Sequence, residues 1–505
     1  MRISLSILVL LLFTACSKNE EPPTAPPPPA PVLSSEKAIS AFSFLKKDNP
    51  TLEADITAVV SGQKITAEIP AHISERNLVP TFTLSNKAKA RIGTTEQVSG
   101  QTKNNYTQSL SYEVEAEDKT KATYTVEVKA VGHAPLATVN NTTSYSYRTA
   151  ATTWIDYGTA LPSLKFYPGG YLARAIYDFD KDGDEDIITG NLNYDEASGT
   201  LVNAPRPVHY LNNTGGAYTD VTASKFSGSV PGLVHPRKAI LGDFDKNGWM
   251  DVVMAGHGYD QPPFPGEKSI LLLNHNGTFT SREILPIGFY HSVSSGDIDN
   301  DGDIDLFFSD TKTSRFFIND GNANFTLDNT VFPAELYNLN FFTSELYDLN
   351  ADGYLDVVVT GHEHENAPST VLWGNYTGKY TKARSTTLPR VQGWGIAIDI
   401  NILDVNGDGR HDIILNRQGD GTGAQTVFHG LYVQVLVQDA ARGFTDQTTT
   451  IISNHIQTTH PGLTWFWVDW LRLLDADGDG DKDIVTDNKF YNLQWRNNNG
   501  SFARF

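Results

Sequence analysis

The chain carries a single cysteine in 505 residues, so it can close no disulfide within itself and build no cysteine-based zinc cluster. Basic residues are scarce as well: 39 Lys and Arg stand against 59 Asp and Glu, a formal charge of −20. That deficit excludes a broad phosphate-neutralising surface, and with it sequence-independent binding of nucleic acid. Long apolar runs are missing except for one at the extreme N-terminus, Ile3 to Phe13, which is too short to span a bilayer as a helix. HExxH, GxSxG and glycine-rich phosphate loops are absent, which removes the commonest metalloprotease, hydrolase and nucleotide-binding signatures. What the chain has in quantity is acid and turn formers, 41 Gly and 25 Pro. With 39% hydrophobic residues and a length beyond one ordinary domain, it reads as an acidic, β-rich protein with ample core.

Residues 1–15 read as a secretory signal: basic Arg2, the apolar stretch to Phe13, then small Thr14-Ala15 before Cys16. The arrangement resembles the bacterial lipoprotein signal, which implies that Cys16 is lipidated and becomes the first residue. Ser17-Lys18-Asn19-Glu20-Glu21 resembles the acidic export tag of Bacteroidetes surface lipoproteins. Residues 16–34 then form a tether whose seven prolines between Pro22 and Pro31 favour an extended polyproline stalk, at about 3 Å per residue. These resemblances imply an outer-membrane protein exposed at the cell surface, meeting the membrane through its lipid anchor alone.

From 35 to 133 the apolar period is two. Ile65, Ala67 and Ile69 alternate with polar residues, as do Tyr112, Val114 and Ala116, and then Tyr124, Val126 and Val128. Alternation punctuated by Gly, Asn and Asp predicts half-buried antiparallel strands, and about 100 residues of it suits an immunoglobulin-like sandwich. The segment holds no catalytic cluster. It resembles the small sandwich modules that precede the functional domain in Bacteroidetes surface lipoproteins, which implies a spacer.

The remainder, 140–505, is dominated by an internal repeat. Six acidic loops begin at Asp178, Asp243, Asp297, Asp348, Asp404 and Asp475, spaced 51 to 71 residues apart, enough for one small antiparallel sheet each. Aliphatic pairs follow every loop (Ile187-Ile188, Val252-Val253, Leu306-Phe307, Val357-Val358, Ile413-Ile414, Ile484-Val485), and these read as buried strands rather than EF-hand helices. Later in each repeat comes a second apolar run and then an aromatic, so four strands per unit are predicted, with the acidic loop between the first and second.

Oxygen-bearing side chains occupy loop positions one, three, five and nine, with Gly at six, as in the first part of an EF-hand-type calcium loop. Position seven supplies its backbone carbonyl, and the Asp at nine takes over from the missing Glu at twelve. The expected ligand sets are Asp178, Asp180, Asp182, Asp184 and Asp186; Asp243, Asp245, Asn247, Trp249 and Asp251; Asp297, Asp299, Asp301, Asp303 and Asp305; Asp348, Asn350, Asp352, Tyr354 and Asp356; Asp404, Asn406, Asp408, Arg410 and Asp412; Asp475, Asp477, Asp479, Asp481 and Asp483. Two carboxylates 4 Å apart repel by about 4 kcal/mol at an effective dielectric of 20, so clusters of three or four call for a cation. Up to six Ca²⁺ ions are expected. Magnesium suits an all-protein cage less well, because it gives up water reluctantly.

Repeated four-stranded units arranged radially make a β-propeller. The units resemble the FG-GAP/VCBS repeats of integrin-α-type propellers, which implies calcium at each loop on the face opposite the usual binding surface. The fold expected is therefore all-β, an immunoglobulin-like sandwich followed by a six- or seven-bladed propeller with calcium loops. Trp154-Ile155-Asp156-Tyr157 resembles an outer strand that either closes the ring or belongs to a seventh blade.

Residues entering the first strands and leaving the second strands should share the face opposite the calcium loops. Entering are His235-Pro236-Arg237, Tyr290-His291, Asn340-Phe341, Trp394 and Trp465-Phe466-Trp467. Leaving are His257, Tyr259 and Asp260, then His362, Glu363 and His364, then Arg417. Aromatics beside His, Arg and Asp suit recognition of a sugar or a protein loop. The candidate ligand-binding residues are His235, Arg237, His257, Tyr290, His291, Phe341, His362, His364, Trp394, Arg417, Trp465 and Trp467. No catalytic residue is assigned, and the leading expectation is a binding protein for an extracellular glycan or protein. The alternative is a calcium-dependent polysaccharide lyase, with His257, His362 and His364 as candidates for a metal or acid–base site.

Overall fold

Period-two alternation buries one face of each strand in the N-terminal part of the chain. The computed structural model describes residues 32–136, 154–155, 172–195, 200–311, 313–461, 463 and 465–505. The expected signal, Cys16 and the tether as far as Pro31 lie outside the described residues, as do Asp156 and Tyr157. Two compact units emerge, Met1–Glu68 with Glu75–Lys129, and Ile69–Ser74 with Ala130–Phe505.

In the first unit a three-stranded sheet (Ile56–Thr57, Ile39–Phe44, Thr81–Leu84) faces a six-stranded one. The larger sheet runs Val59–Ser61, Lys64–Pro70, Lys121–Val131, Leu110–Glu115, Lys89–Ile92, Thr95–Gln97. Ile65, Ala67, Ile69, Tyr112, Val114, Ala116, Tyr124 and Val126 are all buried, as the alternation requires, and Val128 is half-buried. Phe42 and Phe82 of the small sheet meet Tyr112 of the large one, with ring centroids 5.7 and 6.1 Å away. This aromatic layer makes the unit a β-sandwich.

The second unit is a β-propeller. Among the described residues it holds six antiparallel sheets with four strands each in chain order, the fifth sheet gaining a short extra strand, Ile456–Gln457. The first strands are Leu172–Tyr177, Pro236–Gly242, Tyr290–Gly296, Phe341–Tyr347, Ile396–Leu403 and Leu471–Leu474, and each neighbours the next. The second strands begin at Asp186, Asp251, Asp305, Asp356, Asp412 and Asp483. In every sheet the position-nine Asp opens the second strand and pairs with the last residue of the first. Apolar cores fill the space between successive sheets, such as Leu241, Val252 and Phe279 against Ala175 and Tyr210. The ends of the series meet where Arg174 of the first sheet pairs with Asp487, which also takes Arg472 of the sixth. Trp154 donates its indole N–H to the Thr486 carbonyl at 2.6 Å, which sets this short segment against the sixth sheet.

One irregularity recurs. Sheets two to five each carry a β-bulge at the start of the first strand, after Pro236, Tyr290, Phe341 and Ala397. A bulge leaves residues unpaired and re-aims their side chains. Here those residues include Arg237, His291 and Phe342, and they form the wall of a cavity.

Candidate functional site

The acidic loops join the first strand to the second at one end of every sheet. Each loop folds around its first carboxylate. The N–H groups of Asp182 and Gly183 donate to Asp178 at 3.0 Å each, and equivalent pairs reach Asp297, Asp348, Asp404 and Asp475. The sixth residue has φ between 84 and 99° in all six loops, a region that glycine enters without steric cost.

Position nine does something the sequence pattern did not disclose. Its carboxylate is buried and clamps two backbone N–H groups, one from loop position two and one from the third strand or, for Gly374, just past its end. The pairs are Phe179 and Asn213, Phe244 and Asn274, Ile298 and Asn319, Leu349 and Gly374, Val405 and Gln438, Ala476 and Asn497, all at 2.7–3.1 Å. Burial, reinforced by the neighbouring loop acids, pushes Asp251 and Asp305 up to about 8 and Asp412 up to about 6. The same cause raises Asp186 and Asp356.

The loops fit a divalent cation. Carboxylate oxygens of Asp178, Asp180 and Asp186 lie within 4.8 Å of one another, as do those of Asp243, Asp245 and Asp251, and of Asp297, Asp299 and Asp305. Asp180 Oδ1, Asp243 Oδ1 and Asp299 Oδ1 are buried and accept no hydrogen bond. A buried carboxylate oxygen without a donor is costly unless a cation faces it. The donor set is all oxygen, which suits a hard ion.

At the opposite ends of the same strands lies a cavity of about 410 Å³. Its aromatic wall is Phe264, Phe289, Phe342, Phe428 and Trp467, and its polar groups are Arg237, Asp260, Thr311, Asn340 and four histidines. Phe342 is the hub: the Arg237 guanidinium sits 4.9 Å over its ring, and the rings of His291, His362 and Phe428 lie 4.4, 6.1 and 6.1 Å away. Phe428 continues to Trp467 at 5.3 Å, and the Trp467 indole N–H donates to Asp469 Oδ1 at 2.5 Å. His257 is central among the histidines. Its Nδ1 is 3.2 Å from the Gly258 carbonyl, and its Nε2 is 3.1 Å from His291 Nε2. Burial, with Arg237 nearby, holds His235, His257 and His291 well below the usual histidine range, so all three are neutral imidazoles.

Of the residues expected on this face, His235, Arg237, His257, His291, His362 and Trp467 line the cavity, and His364 stacks behind His362 at 5.4 Å. Tyr290 and Phe341 instead sit fully buried in the cores between sheets. Trp394 packs on Tyr432 at 5.6 Å, and Arg417 is locked in a buried ion pair with Glu363. Trp465 is 47% exposed, with its indole N–H on the Phe428 carbonyl at 2.9 Å. Phe264, Phe289, Thr311, Phe342 and Phe428 were not anticipated. For Phe342 the signal was the Phe341-Phe342 pair, in which a bulge exchanges the two faces. Phe264 and Phe428 come from loops that carry no periodic signal.

Comparison with known families agrees with this architecture. The FG-GAP-like repeat model matches residues 178–254, 243–308, 297–359 and 348–415. The chain thus carries an FG-GAP-repeat β-propeller of the Bacteroidetes type, with the matched repeats spanning residues 178–415. More particularly, residues 40–128 match the SGBP N-terminal domain, a domain of glycan-binding Bacteroidetes proteins. The sixth loop, at Asp475, lies beyond the matched repeats yet keeps the same clamp. No curated protein matches the chain. Among solved structures, one describing recognition of non-reducing terminal N-acetylglucosamine by an Agrocybe aegerita lectin is 16% identical, covering 82% of this chain and 90% of its own, with a TM-score of 0.33. A Lactobacillus plantarum protein is 11% identical over 83% and 95%, at 0.40, and a putative glycoside hydrolase from Bacteroides thetaiotaomicron is 15% identical over 46% and 81%, at 0.15.

Proposed function

We propose that the chain is a cell-surface lipoprotein, anchored in the outer membrane through Cys16, whose calcium-stabilised propeller binds an extracellular glycan in the cavity at the bulged ends of its first strands. The observation that carries the reading is the lining itself. Aromatic faces at Phe342, Phe428 and Trp467 alternate with Arg237, Asn340 and Asp260, and the volume of about 410 Å³ falls in the range of small-ligand sites, about 300–1,000 Å³. Sugars present apolar C–H faces and hydroxyl edges, so stacking on rings and directional hydrogen bonds recognise them together. The SGBP-type N-terminal domain supports the same class of ligand. Calcium at the six loops would stiffen the strand ends that aim the cavity residues.

Glycan-array screening followed by calorimetry on the full chain tests the reading. Phe342→Ala and Trp467→Ala, measured well below their melting temperatures because both side chains are buried, are expected to lose binding while still folded. Full affinity in both variants would overturn the assignment to this cavity. The lyase alternative draws on the neutral His257–His291 pair, which could move a proton beside a bound sugar. It requires ultraviolet-absorbing unsaturated products from a uronate-containing polysaccharide, and their absence across such substrates would dismiss it.

A further inference from the structure

The floor of the cavity holds more nitrogen than glycan recognition needs. His235, His257 and Asp260 each offer a ligand atom within 4.8 Å of the others. His291 adds a fourth candidate, its Nε2 being 3.1 Å from that of His257. Ring centroids of His235 and His257, and of His257 and His291, are 4.4 Å apart. We propose that these residues form a site for a borderline transition-metal dication such as Zn²⁺, separate from the oxygen-only loops at the other end of the sheets and open toward the cavity.

Three features point to a metal rather than to a plain imidazole pair. The first is the outer hydrogen bond of His257. Its Nδ1–H donates to the Gly258 carbonyl at 3.2 Å, which fixes the tautomer and turns the Nε2 lone pair inward, as metal-bound histidines are commonly held. The second is distance. An ion about 2.1 Å from both Nε2 atoms would see them at about 95°, a workable angle for two cis ligands. The third is charge. Among the candidate donors the Asp260 carboxylate is the group that can bring a negative charge to a cation, beside the imidazole nitrogens. Arg237 works against a cation, since its Nη1 is 3.5 Å from His235 Nε2, so the carboxylate of Asp260 is needed in the ligand set. Imidazole with carboxylate selects zinc, copper, nickel or iron over calcium. A ligand position left open toward the cavity would accept a sugar oxygen, so the ion would sit where a glycan meets the floor.

The test uses Co²⁺ as the probe on the full chain, stripped with chelator and then saturated with Ca²⁺ so that the acidic loops are filled. Nitrogen-ligated Co²⁺ of low coordination number absorbs visible light far more strongly than Co²⁺ held by carboxylates and water. One equivalent of the strong absorber is expected, displaced by Zn²⁺. His257→Ala and His291→Ala should abolish it, Asp260→Asn should weaken Co²⁺ binding about tenfold or more, and His364→Ala should leave it intact. A wild-type protein that shows only the weak oxygen-ligated spectrum would overturn the proposal, without any variant needing to fold. So would an intense band that survives in His257→Ala and His291→Ala. No glycan enters this readout, so its failure is distinct from failure of the glycan-binding reading.

Discussion

Arg417 offers the sharpest test of how structure redistributes the residues that sequence placed on one face. It lies in the second strand of the fifth sheet, Asp412–Gln418, with its side chain 0% exposed. Its guanidinium grips Glu363, beyond the fourth sheet, with two parallel bonds of 2.9 and 3.0 Å. Nε donates to Gln434 at 2.6 Å, and the remaining N–H groups reach the Trp394 and Pro389 carbonyls at 3.2 Å each. Every donor is used, so no capacity is left for a ligand. Arg417→Met would leave the Glu363 carboxylate buried with the Ser369 hydroxyl at 2.6 Å and only Arg390, 3.9 Å away, for charge. Removing one partner of such a pair costs about 3–5 kcal/mol, whereas replacing both by apolar residues of similar volume is often close to neutral. Urea unfolding should therefore show a large loss for Arg417→Met and for Glu363→Leu, and for the two together a loss much smaller than their sum. Additive losses in the double variant would refute the buried-pair argument. Lost glycan binding in Arg417→Met at an unchanged urea midpoint would return this residue to the ligand face.

Other consequences are as direct. Chelator should lower the melting temperature and Ca²⁺ restore it, each filled loop adding about 2.7 kcal/mol at a hundredfold excess over its Kd; an unchanged melt would remove structural calcium. In chelator, stability should fall as pH rises from about 4 toward 8. Asp251 and Asp305, pushed up to about 8, hold protons in the folded state that the unfolded chain releases near 3.9, so their contribution is full below that value and lost on passing 8. Melts in chelator at pH 5 and pH 8 check this, and equal stability at the two would contradict it. Phe341→Ala should cost about 3–5 kcal/mol of stability by opening the core between sheets three and four. Its neighbour Phe342→Ala, also buried among Ile396, Ile398 and Trp467, should cost stability too, but in addition about tenfold in the glycan affinity of the folded protein, which Phe341→Ala should leave unchanged; equal affinity loss in both would mean the bulge is misplaced.

The repeat was legible because its information is local. Six copies of one loop, each flanked by aliphatic pairs, specify strand, turn and strand without reference to distant residues, and the observed second strands begin at the six predicted position-nine Asp residues. The sandwich was legible for the same reason, since alternation alone decides which of Ile65, Lys64 and Thr66 turns inward. The cavity was legible only in outline. Tyr290-His291 and Asn340-Phe341 correctly mark the entering ends of strands, but side chains alternate with period two, so one inserted residue exchanges core for surface. The bulges at Tyr290 and Phe341 make that exchange and put His291 and Phe342 on the wall. Arg417 was misleading in another way: its partner Glu363 is 54 positions away, in the 3-10 turn that follows the second strand of the neighbouring sheet, a pairing no spacing rule discloses.

The clamp at position nine joins the two ends of the propeller in one argument. An Asp there has two oxygens, and each already accepts a backbone N–H, one from the loop and one from the third strand. Such an acceptor fixes the first, second and third strands relative to one another whether or not a cation is present. In the first three loops its carboxylate also lies within the cluster of positions one and three, so an ion bound there would pull on the same three strands. Those strands end, on the far side, at Arg237, His257, His291 and Phe342. Stiffness gained at the acidic end thus reduces the freedom left to the cavity end, and a cavity whose walls are already ordered loses less entropy on binding any ligand. Repetition of the acidic loop is then an economical means of holding unlike, bulge-aimed side chains in one constellation. The loops stay alike because every sheet needs the same clamp, while the opposite ends differ because only one combined surface is built from them.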